Sequence, residues 1–151
     1  MDSVPLKWRD LRGGRIYVDT NAWIYARDME AKWEELRCFF DFAHAGAWKL
    51  VTSELTLAET LVWPIQNRDR RAQSEFQEAL QNASHLVVIP VSRPILIEAA
   101  TLKATRALEL PDAIHAATAK LSRCSYFLTG DEELARAVHL PHLRTSDIAI
   151  P

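Results

Sequence analysis

The stretch "IYVDTNAW", residues 16–23, decides the fold. Ile16, Tyr17 and Val18 form a short unbroken apolar run, the mark of a strand buried on both faces rather than one face of a solvated hairpin. Asp19, Thr20 and Asn21 then interrupt it before Trp23, Ile24 and Tyr25 resume. The same pattern recurs further along the chain. "LVVIPV" (86–91) and "SYFLTG" (125–130) are solidly apolar, "WKLVTS" (48–53) is short and β-favouring, and 142–146 reads as a short last strand. Helical stretches separate these runs, so the chain reads as an α/β fold with a mostly parallel sheet covered on both faces.

The helices come from periodicity and punctuation. Over 29–45 the apolar positions Met29, Trp33, Leu36, Phe39, Phe40 and Ala43 recur at spacings near three and four, and Gly46 ends the pattern. Thr52 or Ser53 is placed to cap a helix that starts at Glu54 and is expected to stop near Trp63, because Pro64 follows. A further helix is expected over about 68–82. Pro94 and Pro111 sit where first-turn prolines open helices, and "DEELARAV" (131–138) forms the last one. Residues 1–14 have no clear period and read as an N-terminal extension before a single domain over 15–151.

Bulk properties narrow the function. The chain has 151 residues, 48% hydrophobic and 25% charged, with a formal net charge of -2, so no partner is recruited by bulk positive charge. Two cysteines, Cys38 and Cys124, rule against a disulfide framework and fit a reducing cytoplasm. No apolar run approaches the ~20 residues of a membrane span, and the start lacks the apolar core of a signal peptide. The expectation is a cytoplasmic protein with no membrane partner.

In open parallel sheets the ligand site lies at the carboxyl ends of the strands, which directs attention to four acids. Asp19 and Asp131 each follow an apolar strand, and each is also placed to cap the next helix. Asp112 follows Pro111 at the positive end of a helix dipole. Glu59 lies in "LTLAETLVW" (55–63), a helix apolar over most of its circumference, where it either shares a solvated stripe with Thr56 and Thr60 or faces an internal cation. Capping accounts for each aspartate singly and does not account for all four acids. A divalent cation held by oxygen ligands does, and carboxylates without a Cys or His set favour Mg²⁺ or Mn²⁺ over Zn²⁺. Acid-only clusters of this kind support in-line attack of water on a phosphodiester.

Taken in order, "VDTNAW", "TSELTLAETL", "LPDAIHAATA" and "FLTGDEEL" resemble the four acidic signatures of the PIN-domain ribonucleases, and are most similar to the VapC-like toxins of type II toxin-antitoxin systems. The resemblance covers about residues 15–146. It implies a three-layer α/β/α sandwich around a sheet of about five strands, and metal-dependent endonuclease action on RNA, tRNA or rRNA included. It implies that Asp19, Glu59, Asp112 and Asp131 hold Mg²⁺ or Mn²⁺ as the catalytic quartet, with Asn21 and Thr129 as polar residues that orient the site and Thr20 and Ser53 close by. It also implies a cognate antitoxin whose tail occupies the active-site groove, and a homodimer. An RNA-processing nuclease without an antitoxin, and a non-catalytic RNA- or protein-binding module, are the alternatives.

The chain departs from the family pattern in two places. Residues 1–14 precede a strand that usually begins within a few residues of the start, and "TGDEEL" carries acids where relatives often have a basic residue. For RNA contact, Arg68, Arg70 and Arg71 form the densest basic cluster, with Lys7, Arg9, Arg12 and Arg15 upstream; the first group also reads as a solvated helix face. His115, one turn beyond Asp112, reads as a packed or surface histidine rather than a catalytic one. Trp33 reads as core, and the aromatic residues over 29–63 are compatible with an antitoxin groove.

Overall fold

The structure, a computed structural model, describes residues 8–11, 13–28 and 30–144. Lys7, Arg12, Met29 and the end of the expected last strand at 145–146 lie outside the described residues. Five strands, β1 (Arg15–Val18), β2 (Lys49–Ser53), β3 (Leu86–Ile89), β4 (Tyr126–Thr129) and β5 (His142–Arg144), form one sheet in the order β3-β2-β1-β4-β5. Every pairing is parallel, with Tyr17 beside Val51 on one side and Phe127 on the other. The chain winds outward from β1 through β2 to β3, then crosses back to β4 and β5. The winding therefore reverses between β1 and β4, which opens a crevice at their carboxyl ends.

Among the described residues, seven helices connect and cover the sheet: α1 (Thr20–Arg27), α2 (Glu34–His44), α3 (Glu54–Gln66), α4 (Arg70–Ala79), α5 (Arg93–Arg106), α6 (Leu110–Leu121) and α7 (Glu132–Ala137). Alternation along each strand sends successive side chains into different layers. Ile16 and Val18 join Leu50, Leu86 and Leu128 against Ala22 and Trp23 of α1 and Leu36 and Phe39 of α2. Tyr17, Val51 and Phe127 face the opposite way, against Ala99 of α5, the alanine-rich α6 and Leu134 of α7. This is the expected three-layer α/β/α sandwich. Because α6 contributes Ala113, Ala116, Ala117 and Ala119, its backbone comes close to the sheet and brings its first turn to the strand ends.

Several boundaries differ from the sequence reading, each for a local reason. Pro64 does not stop α3, which continues to Gln66. Proline removes a single N–H, and its carbonyl accepts from the Asp69 backbone N–H at 2.9 Å and from the Gln73 side chain at 3.2 Å, so the last turn loses little. The helix expected over 29–45 is broken into a 3₁₀ turn (Ala31–Trp33) and α2. Trp33 is partly buried, its ring stacked on Tyr25 with centroids 4.2 Å apart. The helix expected over 68–82 is confined to α4, since Asp69 caps it by accepting from the Ala72 N–H at 3.0 Å. β3 ends at Ile89, before Pro90.

Within the N-terminal segment, Trp8 is buried. Its ring meets Phe39, Phe42 and Trp48 edge-on, and its indole N–H donates to Glu35 at 3.1 Å. This part of the segment is an added piece of the layer formed by α1 and α2.

Candidate active site

The carboxyl end of β1 delivers Asp19 to the crevice. Its backbone N–H donates to the Leu128 carbonyl at 2.9 Å, tying it to the neighbouring strand. Its side chain is buried, with one oxygen accepting from the Thr20 N–H at 2.7 Å and the other from the Thr129 hydroxyl at 2.7 Å. Asp19 thus caps α1 at the carboxyl end of β1, so the capping role does not compete with its place in the crevice. Thr129 also accepts from the Asp131 N–H at 3.0 Å, so one hydroxyl sets two acids in relation. Asp131 caps α7 through Oδ1, which accepts from the N–H groups of Glu133 and Leu134.

Glu59 arrives from α3. Its Oε1 accepts from the Thr20 hydroxyl at 2.8 Å and lies 2.6 Å from His115 Nε2. The threonines flanking it, Thr56 and Thr60, are buried, while Val62, Trp63 and Ile65 at the end of α3 are exposed. The stripe of Glu59, Thr56 and Thr60 is therefore the inward face of α3, and the apolar end of this helix faces solvent instead of the core. Burial pushes the Glu59 carboxyl up, and the hydrogen bond and charge of His115 with the Thr20 hydroxyl overturn that, leaving it below its ordinary value.

Asp112 occupies the first turn of α6, half-buried, with no hydrogen-bonding or ion-pair partner among the described residues. Its carboxyl is raised above its ordinary value, first by burial and then by the negative charges of Asp131 and Asp19, with Glu59 adding to them and His115 opposing them. All four acids thus lie in one electrostatic neighbourhood, and Asp112 senses the other three. Asn21, in the first turn of α1, is exposed and has no side-chain hydrogen bond among the described residues. Ser53 caps α3, accepting from the Leu55 N–H at 3.0 Å.

Among the described residues, no three His, Cys, Asp or Glu side chains are gathered tightly enough to coordinate one ion. The hydrogen bonds explain the spacing: Glu59 is drawn to His115 and Thr20, and Asp131 to its own helix. The donor chemistry nevertheless fits a hard divalent cation. Glu59 Oε2, Asp131 Oδ2 and the whole Asp112 carboxylate accept no hydrogen bond among the described residues, and the mutual repulsion around Asp112 is what a cation relieves.

Two residues at the centre of this site, Thr20 and His115, carry more than the sequence assigns them. His115 is only 1% exposed, so of the packed and surface readings the structure gives the packed one. Its ring also bridges Tyr17 and Glu59 and lies 4.0 Å from Asp19. The available signal was its setting, since an imidazole buried among the alanines of α6 needs polar partners.

Of the basic residues, Arg71 is paired with Glu75 at 2.9 Å, as is Arg27 at 2.6 Å, while Arg68 and Arg70 are exposed. Arg9 pairs with Glu35 at 3.2 Å and lies over the Trp8 ring.

The family profile described as "PIN domain" matches residues 16–140. The chain belongs to the PIN domain family. No curated protein sequence matches it. Solved structures with the same fold include a toxin-antitoxin complex from Klebsiella pneumoniae, at 24% identity and a TM-score of 0.64, covering 85% of this chain and 98% of that one. A VapBC complex from Rickettsia felis, bound to a DNA fragment from its promoter, matches at 16% identity and a TM-score of 0.67, covering 86% and 98%. A VapC toxin of Mycobacterium tuberculosis that cleaves the sarcin-ricin loop matches at 17% identity and 0.65, covering 81% and 94%. These likenesses extend the PIN fold over nearly the whole length of each relative. Among the described residues no helix is long and apolar enough to cross a membrane.

Proposed function

We propose that this PIN domain is a metal-dependent endoribonuclease and the toxin of a type II toxin-antitoxin pair. The observation that carries the reading is the Asp112 carboxylate, unpartnered among the described residues and destabilised first by burial, then by Asp131 and Asp19 at the ends of β4 and β1 and by Glu59 of α3. A binding module has no use for four mutually repelling carboxylates in one crevice, whereas a hydrolase of phosphodiesters does.

In this reading Asp19, Glu59, Asp112 and Asp131 hold Mg²⁺ or Mn²⁺. When bound, such an ion makes water acidic enough to serve as nucleophile and neutralises charge developing on the phosphate. The residues of the chain supply the preparation. Thr129 orients Asp19 and the backbone of Asp131, Thr20 joins Asp19 to Glu59 through its N–H and hydroxyl, and Asn21, exposed in the first turn of α1, would meet substrate or its water. Arg68 and Arg70 are free to meet RNA phosphates. No base is required of His115.

The solved structures of the same fold include complexes of toxins with antitoxins. Here the exposed Val62, Trp63 and Ile65 at the end of α3 offer an antitoxin an apolar surface, and the exposed Leu96 and Ile97 of α5 with Leu110 of α6 offer a second copy of the chain another. Cytoplasmic action is part of the same proposal.

The test is cleavage of a mixed tRNA and rRNA pool by antitoxin-free protein with Mg²⁺ or Mn²⁺ against EDTA, beside Asp19→Asn and Asp112→Asn. Metal-dependent cutting lost in both variants supports the reading. A folded wild-type protein that cuts nothing in either metal replaces it with a non-catalytic module, and cutting by a protein with no antitoxin partner replaces the toxin assignment with RNA processing.

A further inference from the structure

The site contains a hydrogen-bonded chain that begins in the core of the sheet and ends on an acid. The Tyr17 hydroxyl, in the middle of β1, lies 2.6 Å from His115 Nδ1, and His115 Nε2 lies 2.6 Å from Glu59 Oε1. Tyr17 and His115 are both fully buried, and the Tyr17 ring is stacked on Phe127 of β4 with centroids 5.0 Å apart. The three residues come from β1, α6 and α3, elements far apart in sequence, and the chain they form crosses the layer boundary at the switch point.

We infer that His115 is a positioning residue for Glu59: held by Tyr17, it fixes Oε1 and leaves Oε2 as the oxygen that would hold a cation. This rests on the proposed nuclease reading. An ionised carboxylate only accepts, so the His115 Nε2 facing it must carry a proton, however Tyr17 and Nδ1 share theirs. Burial keeps the Tyr17 phenol protonated, so it remains available to hold the ring on its other side. The Thr20 hydroxyl donates to the same Oε1 at 2.8 Å. Two donors thus grip one oxygen, and Oε2 accepts nothing among the described residues. A carboxylate gripped in this way presents a single oxygen in a fixed direction, which reduces the ordering needed when a cation binds. A histidine that only filled space would not place its ring nitrogens between a strand tyrosine and a site acid.

The experiment uses the full chain and reads Mn²⁺ affinity by titration calorimetry, kcat and KM on RNA, and thermal unfolding in EDTA. Tyr17→Phe keeps the ring stack and removes only the hydroxyl. It is expected to weaken Mn²⁺ binding and lower kcat about 10-fold with KM unchanged. His115→Ala is expected to lose about 100-fold in Mn²⁺ affinity, and His115→Gln, which keeps an N–H donor, to recover the larger part of it. In a Glu59→Gln background Tyr17→Phe should add no further loss of Mn²⁺ affinity, a non-additivity that a purely structural role does not produce. Tyr17→Phe carries the test even if His115→Ala fails to fold. Wild-type binding and cutting with a Tyr17→Phe variant indistinguishable in Mn²⁺ affinity and kcat would overturn the positioning role alone. A folded wild-type protein that neither binds Mn²⁺ nor cuts RNA would overturn both readings.

Discussion

Thr129 donates its hydroxyl to Asp19 at 2.7 Å and receives the Asp131 N–H at 3.0 Å, so a single side chain at the end of β4 joins the first and fourth acids. Thr129→Val keeps the shape and removes both bonds, leaving the buried Asp19 oxygen and the Asp131 N–H without their protein partner. The expected cost is ~1–3 kcal/mol in urea denaturation, together with a fall in RNA cleavage, while Thr129→Ser should retain most of both. A Thr129→Val protein as stable and as active as wild type would remove Thr129 from the site.

Asp112 links stability to pH in the metal-free protein. Its carboxyl is raised from an ordinary value of 3.8, so between that value and its folded one the native state holds more proton than the unfolded state. Stability from this group is complete below pH 3.8 and is lost as pH rises through the folded value. Above the folded value the full penalty of the ionised group is present. Asp112→Asn should therefore raise the melting midpoint in EDTA at pH 7 and flatten the acid-side dependence. It should also lower kcat by ~100-fold or more, several kcal/mol of charge stabilisation. Thermal scans from pH 3 to pH 8 check the first claim and RNA cleavage the second.

The same balance predicts the effect of a cation. An ion that binds only the native site stabilises by mass action, so Mn²⁺ should raise the wild-type midpoint. Mn²⁺ should do so far less in Asp112→Asn, where one carboxylate charge is gone. Equal shifts in the two proteins would place the ion elsewhere.

The sheet was legible because a strand buried on both faces leaves an apolar run, as at Ile16–Tyr17–Val18, and the edge strand in "LVVIPV" keeps such a run although Val87 and Ile89 are only partly buried. The helix ends were less so. Pro64 costs α3 one N–H without ending it, and the groups that hold the turn after it, the Asp69 N–H and the Gln73 side chain on the Pro64 carbonyl, act from beyond the helix. The acids were legible as a set through their order, and Thr129 through its place at a strand end. His115 was not, because Glu59 lies 56 positions away and Tyr17 lies 98 positions away, and nothing local in the sequence of α6 records either contact. The outward face of Trp63 was hidden for the opposite reason: the periodicity of an apolar helix says that it is covered, and here the cover over its last turn is not part of the chain's own described core.

That exposed end of α3 yields the antitoxin prediction. Trp63 is 61% exposed, beside Val62 and Ile65, and an indole able to desolvate on binding is a common hot spot. Trp63→Ala should weaken the complex with the cognate antitoxin by ~30-fold or more, about 2 kcal/mol. Cleavage by the free protein should be unchanged. Calorimetry with the antitoxin that the proposed pair requires provides the measurement, and an unaltered affinity would move the interface off α3.

The last prediction concerns Trp8, which lies upstream of β1 and is nevertheless buried. Its ring contacts Phe39, Phe42 and Trp48, with centroids 5.3 to 6.1 Å away, and Glu35 accepts its indole N–H. Removing it leaves a cavity against α2, so Trp8→Ala should cost ~3–5 kcal/mol. Trp8→Phe should cost less, because it keeps part of the ring contacts while losing the hydrogen bond. The comparison separates two roles for the N-terminal segment. If Trp8→Ala unfolds at the wild-type urea midpoint, the segment is an appendage to an independent domain. If the midpoint falls as expected while residual folded protein still cuts RNA, the segment belongs to the layer formed by α1 and α2, and acts on the site only through the stability of that layer.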